Sequence, residues 1–264
     1  MISTSQVSTA EQCGKGNTAQ PASIASDNIY KNGGYLANNQ NWHADDSPWK
    51  AQHILHILRR NGCSFETVTE VGCGAGKILE ILQRTFSNRS FTGFDISPQA
   101  ASLWPSTAGN TPSSEENAES VQYRLEDFLA VEDCFDLLLL IDVFEHVPDY
   151  IGFLKQLQPR AQQFVFHIPL DMNMLMTIKN EHTELRNRIG HLHYFAKETA
   201  LATLKDCGYK TVDWFYTADH ELPGHERRIN PLRKVLFRLN PDLAVSLLGG
   251  WSMMVLAEPT TACN

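Results

Sequence analysis

Two nearly continuous apolar runs set the strongest limit on the fold: Cys134–Ile141, broken only by Asp136, and Phe164–Ile168, broken only by His167. A strand with one wet face alternates polar and apolar residues. A run of this kind instead fits a strand covered on both faces, as in a parallel sheet layered between helices. Five further strand-like segments are Val68–Gly72, Ser90–Phe94, Val121–Arg124, Thr211–Tyr216 and Trp251–Ala257. Helix-like spacing over Gly76–Phe86, Ser97–Trp104 and Ala196–Cys207 alternates with them. The expectation is an α/β fold with a seven-stranded, mostly parallel sheet and helices on both faces.

At 264 residues the chain has room for one large domain with extensions. Residues 1–28 are rich in Ser, Thr, Gln, Ala and Gly and are expected to be a flexible tail, leaving 29–264 as the domain. An N-terminal helical extension follows, with Ser47 as cap, Pro48 in the first turn and an inward stripe of Ala51, Ile54, Leu55, Ile57 and Leu58 up to Asn61-Gly62. Residues 105–120 are polar and aperiodic, as a surface loop would be. Residues 218–249, before the last strand, form a helical insertion. There Leu232, Val235, Leu236 and Leu239 share one helical face, among the cations Arg233, Lys234 and Arg238. This face reads as a lid or subunit contact buried by the protein itself, and a membrane-surface helix is the rival reading.

The charge of -8, from 22 Lys+Arg against 30 Asp+Glu, repels polyphosphate and argues against a nucleic-acid partner. Six scattered cysteines point to free thiols, and no apolar run nears the roughly 20 residues of a membrane span, so a cytoplasmic protein is expected.

The chemistry concentrates at Glu70-Val71-Gly72-Cys73-Gly74-Ala75-Gly76-Lys77, where three alternate glycines leave a strand and open a helix. Glycine lets the backbone turn sharply and approach a ligand without a Cβ clash. Asp95 ends the next strand, near the offset at which a carboxylate can hold a ribose. With these elements in order over roughly residues 65–217, the sequence resembles the class I, Rossmann-like S-adenosylmethionine-dependent methyltransferases. The resemblance implies S-adenosylmethionine as cofactor and S-adenosylhomocysteine as product. It implies that Glu70, Gly72, Cys73, Gly74 and Gly76 cradle the methionine and ribose, that Asp95 holds the ribose and that Ile96 packs on adenine. By the same likeness Asp127 and Phe128 meet the adenine, and Ile141 and Asp142 line the cofactor and face the substrate. Taken singly, Asp127 and Asp142 also have plainer readings as helix caps.

Asp142, Glu145 and His146 could ligate a divalent ion, and they resemble the acid-x-x-Glu-His arrangement of quinone-biosynthesis O-methyltransferases. Since Glu-His-Val also occurs widely in methyltransferases without a metal, the expectation is that no metal is bound and that His146 lines the pocket. A base for a hydroxyl acceptor is sought among His146, His193 and His43. In Gly190-His191-Leu192-His193 the two histidines would point the same way if the chain is extended. Asp142-Val143-Phe144-Glu145 stands where amide-methylating relatives carry Asn-Pro-Pro-Tyr, which disfavours planar amides. The resulting expectation is a small-molecule methyltransferase, oxygen being the first choice of acceptor atom and nitrogen or carbon the others. The acceptor would be anionic if Arg227 and Arg228 meet it, and the protein a monomer or homodimer. An RNA or protein methyltransferase and a non-catalytic scaffold are the alternatives.

Overall fold

The computed structural model describes Trp42 and residues 44–105, 120–222 and 228–261. The expected tail, nearly all of the expected 105–120 loop, His43 and Arg227 lie outside them.

Helix α1 (Ser47–Arg60) opens the described chain after a 3-10 turn at Ala44–Asp46. The expectation that Ser47 caps it is corrected. The turn already winds the backbone, so Asp46 takes the cap position in a helical conformation and Ser47 is buried inside the first turn. Strands β1 (Thr67–Val71), β2 (Ser90–Asp95), β3 (Gln122–Leu125), β4 (Phe135–Ile141), β5 (Ala161–Pro169), β6 (Tyr209–Ala218) and β7 (Trp251–Pro259) form one sheet in the order β3-β2-β1-β4-β5-β7-β6. β1 to β5 run parallel, while β7 is antiparallel to both β5 and β6.

The apolar run of β4 does what its composition requires. Leu138 and Leu140 enter one core, and Leu137, Leu139 and Ile141 enter the core on the opposite face. All four leucines have no solvent exposure. Helices α2 (Lys77–Thr85), α3 (Pro98–Ala101), α4 (Tyr150–Leu157), α5 (Met174–Lys179), α6 (His182–Ile189) and α7 (Lys197–Asp206) join the strands. α3 is shorter than its sequence suggested, because Trp104 leaves the helical path to donate its indole N–H to the Gly74 carbonyl at 2.8 Å.

The insertion before β7 forms α8 (Asn230–Leu239) and α9 (Pro241–Leu248). Within the single chain the leucine face is not covered by the protein itself, since Leu232, Val235 and Leu239 are 56%, 59% and 79% exposed. The face turned inward holds Asn230, Arg233, Leu236 and Phe237 instead. Arg233 can be buried because its guanidinium donates to the Leu248 carbonyl at 2.8 Å and to Asn230, and lies over the Trp251 ring.

The order of strands places β1 between β2 and β4, so the loops after β1 and β4 depart on either side of a crevice at their carboxyl ends. Open α/β sheets bind ligands at such a switch point.

Candidate active site

The loop after β1 is held by its own backbone. Gly72 N–H and Cys73 N–H donate to the Phe94 carbonyl at 2.8 and 3.0 Å, and Gly74 N–H donates to Asp95 Oδ2 at 2.8 Å. Gly72, Gly74 and Gly76 all have positive φ, 72°, 53° and 73°, a region that side-chain-bearing residues seldom enter. Space demands glycine as well: a Cβ on Gly74 would lie 2.6 Å from Trp42 Cδ1, and one on Gly76 2.3 Å from the Tyr123 ring. Tyr123 donates its hydroxyl to the Gly76 carbonyl and stacks on Trp104, so two aromatics clamp the loop from outside.

Two adjoining cavities open from this loop. One, of about 320 Å³, is walled by Phe94, Asp95, Ile96, Asp127, Phe128 and Val143. The other, of about 240 Å³, is walled by Lys50, Glu70, Cys73, Ile141, His167 and His191 among others. Trp42, Gly72, Asp142 and His146 border both. The residues expected to hold the cofactor therefore converge, apart from Gly76, which lines neither cavity and shapes the loop from behind.

Asp95 is 8% exposed, and its oxygens accept from the backbone N–H groups of Gly74 and Ser97, both at 2.8 Å. Burial pushes its carboxyl above the ordinary value while those N–H groups pull it down. Asp127 also fulfils its plainer reading, since its carboxylate accepts from Leu129 N–H at 2.9 Å and caps the turn Phe128–Ala130. Ile96 is half exposed at the cavity wall. Cys73 is buried and its thiol is raised well above the usual range by that burial, which leaves it unreactive.

The loop after β4 is built differently. Asp142 is one of three described non-glycine residues with positive φ, at 54°, and its carboxylate is gripped from two sides. Lys50 Nζ lies 2.8 Å from Oδ2 and His167 Nδ1 2.6 Å from Oδ1, while His167 Nε2 meets Thr217 Oγ1 at 2.9 Å. Burial would raise the Asp142 carboxyl, but His167 and Lys50 hold it well below the usual range. Burial would likewise lower Lys50, yet Asp142 holds its ammonium above the ordinary value. Glu70 stands nearby, 2% exposed, with Oε2 making no hydrogen bond among the described residues. Burial lifts it to about 8, against the pull of Lys50.

The two expected bases within the described residues separate. His146 borders both cavities, and its Nδ1 donates to the Gly190 carbonyl at 3.1 Å. His193 does not line either cavity. Its Nε2 donates to the Val147 carbonyl at 3.0 Å and its ring packs on Tyr150, whereas His191 turns to Asp171 at 2.7 Å and to the His146 ring. The shared orientation expected of His191 and His193 is lost because backbone N–H groups of Leu192 and His193 both donate to the Glu145 carbonyl, bending the segment.

Lys50, Thr217 and Asp171 are the site residues that the sequence reading missed. Lys50 left one signal: three and four residues from the buried Ser47 and Ile54, it is a charge on the inner side of an amphipathic helix.

A methyltransferase-domain family model matches residues 37–213, well over half of the chain. No curated protein sequence matches. Among solved structures, the chain is similar to magnesium protoporphyrin IX methyltransferase from Synechocystis PCC 6803 with bound S-adenosylmethionine. The TM-score is 0.59 at 12% identity, covering 91% of this chain and 100% of that one. It is also similar to the plantazolicin methyltransferase BpumL in complex with a monoazolic desmethyl-plantazolicin analogue and S-adenosylhomocysteine. There the TM-score is 0.56 at 13% identity, covering 89% and 94%. At these identities the structures speak for the fold, and the match of the domain itself gives the family. With that domain spanning the glycine loop, the β2 carboxylate and the loop after β4, the chain belongs to the S-adenosylmethionine-dependent methyltransferases.

Proposed function

We propose that the enzyme methylates a small molecule, with oxygen as the acceptor atom, and that adenosine lies in the cavity of Asp95, Ile96, Asp127 and Phe128. The fit rests on two features: a glycine cradle that Cβ atoms would fill, and a buried Glu70 oxygen with no protein partner among the described residues. In this reading Asp95 accepts from the ribose hydroxyls through lone pairs that Gly74 and Ser97 leave available. Glu70 and Asp142 meet the methionine ammonium, and Lys50 meets its carboxylate. Bound there, the cofactor would supply an electrophilic methyl group on a sulfonium; the walls at the His146 corner would hold the acceptor oxygen against that methyl, and the acceptor's proton would pass to solvent.

The observation that carries the small-molecule reading is the second cavity. Its far wall, from Pro169 and Ile189 to Asp219, Leu222 and Ser252, bounds a cavity of about 240 Å³ that the acceptor shares with the methionine portion. That is room for a compact acceptor and not for a duplex. The acceptor oxygen belongs at the His146 corner, where the two cavities meet, and positioning there supplies a large share of the rate.

Purified enzyme given methyl-labelled cofactor should label a low-molecular-weight fraction of a metabolite extract. Label confined to RNA or protein would overturn the small-molecule reading. Asp95→Ala should weaken S-adenosylhomocysteine binding at least 10-fold by calorimetry, and unchanged affinity would overturn the cofactor placement.

A further inference from the structure

Behind Asp142 the loop after β4 turns Glu145 inward. Its side chain is 1% exposed, and neither carboxylate oxygen has a hydrogen-bond partner among the described residues. A buried carboxylate in that state is costly unless a cation or a proton answers it. The groups beside it are imidazoles. His146 Nε2 lies 3.9 Å from Glu145 Oε1, and the His146 and His191 rings meet edge to face with centroids 4.8 Å apart. One donor atom from each of Glu145, His146 and His191 falls within 4.8 Å of the others.

The outer contacts of both rings match those of metal-bound histidines. His191 Nδ1 is held by the Asp171 carboxylate at 2.7 Å and His146 Nδ1 by the Gly190 carbonyl at 3.1 Å. A ligating histidine characteristically gives its second ring N–H to a carboxylate or a backbone carbonyl, which fixes the tautomer and leaves Nε2 to bind the ion. Asp142, the acid that the sequence pattern joined to Glu145 and His146, is committed to Lys50 and His167. His191, 45 residues beyond His146, takes the place of Asp142 only in the folded chain.

We propose that Glu145, His146 and His191 bind one divalent transition-metal ion at the wall of the acceptor cavity. Two imidazoles and one carboxylate suit zinc, cobalt(II) or iron(II), whereas magnesium and calcium favour oxygen donors throughout. At bond lengths of about 2.1 Å, tetrahedral donors lie roughly 3.4 Å apart, so the three side chains draw together by up to about 1.4 Å. His146 and His191 both line the cavity, which leaves the remaining coordination positions facing the acceptor. Resting on the small-molecule reading above, the ion binds the acceptor hydroxyl and makes it more acidic, and the proton departs to solvent. The His146 ring then serves as a ligand and not as a base.

The full chain, stripped with a chelator and dialysed, should take up one equivalent of cobalt(II). Uptake should appear as the visible absorption of a nitrogen- and oxygen-bound ion, and zinc should displace it. His191→Ala and Glu145→Gln should each weaken binding at least 100-fold, and Asp171→Asn about 10- to 100-fold. Calorimetry with S-adenosylhomocysteine on every variant confirms that the fold is intact. No stoichiometric uptake by the wild type, or equal uptake by a His191→Ala protein that still binds S-adenosylhomocysteine, would overturn the site. Cobalt uptake with label transferred only to macromolecules would instead remove the small-molecule reading and leave the metal site standing.

Discussion

The loops after β1 and β4 face each other across one crevice and do their work by opposite means. The first is bare backbone: glycines in left-handed conformations, with peptide groups held by Phe94, Asp95, Trp104 and Tyr123. The second is a set of charged side chains, each positioned by a partner far away in sequence: Lys50 and His167 for Asp142, the 190–193 segment for Glu145 and His146. A backbone site fails when a side chain is added. A side-chain network fails when one member is removed and the others are left without an answer to their charge.

The sharpest way to break this contrast is Gly74→Val. A β-branched residue at φ 53° with Trp42 across from it should reduce S-adenosylhomocysteine affinity at least 1000-fold, about 4 kcal/mol. Calorimetry giving a loss below 10-fold would show that the bare loop is not required.

Glu70, on β1 but within reach of Lys50 and Asp142, tests the charged network through pH. Its carboxyl is raised to about 8 in the folded chain, so between its ordinary value of 4.5 and 8 the folded state holds a proton that the unfolded state has released. Stability is then full below about pH 4.5 and declines as pH rises towards 8, by up to about 5 kcal/mol from this group. Urea midpoints followed across that window should fall, and Glu70→Gln should flatten the decline. An unchanged slope in the variant would assign the effect to another group.

Lys50→Met should destabilise by about 2 kcal/mol, because it leaves Asp142 with His167 alone in a largely buried setting. The same denaturation measurement decides it, and a stabilised variant would mean that the pair costs more to desolvate than it returns.

The smallest effect belongs on α8. Leu239→Ser should change stability by no more than about 0.5 kcal/mol, since the side chain is 79% exposed. A loss above 1 kcal/mol would mean that the leucine is covered in solution.

The contrast between the loops also explains what could be read from the sequence. The apolar runs of β4 and β5 disclosed a doubly covered sheet because burial on both faces leaves a local mark in composition. The Gly72-Cys73-Gly74-Ala75-Gly76 turn was equally legible, since backbone geometry restricts residue type at the very positions concerned. Asp142, Glu145 and His146 were visible as chemistry, but their partners were not. Lys50 lies 92 residues before Asp142, and Asp171 meets His191 only after α5 and α6 have folded between them. α8 was legible only in part: helical periodicity shows which residues share a face and is silent on which face turns to the chain's own core, a place taken here by Arg233.

β7 enters the sheet between β5 and β6 and runs against both. During synthesis, β6 therefore leaves the ribosome with no neighbour to pair with, and β5 has one bare edge until residues 251–259 have emerged. The nascent sheet stays unzipped for that interval, with Phe164, Phe166 and Ile168 uncovered along the gap. A stop codon placed just ahead of Trp251 would lock the chain in that aggregation-prone state, although every residue lining the adenosine cavity would already have been translated.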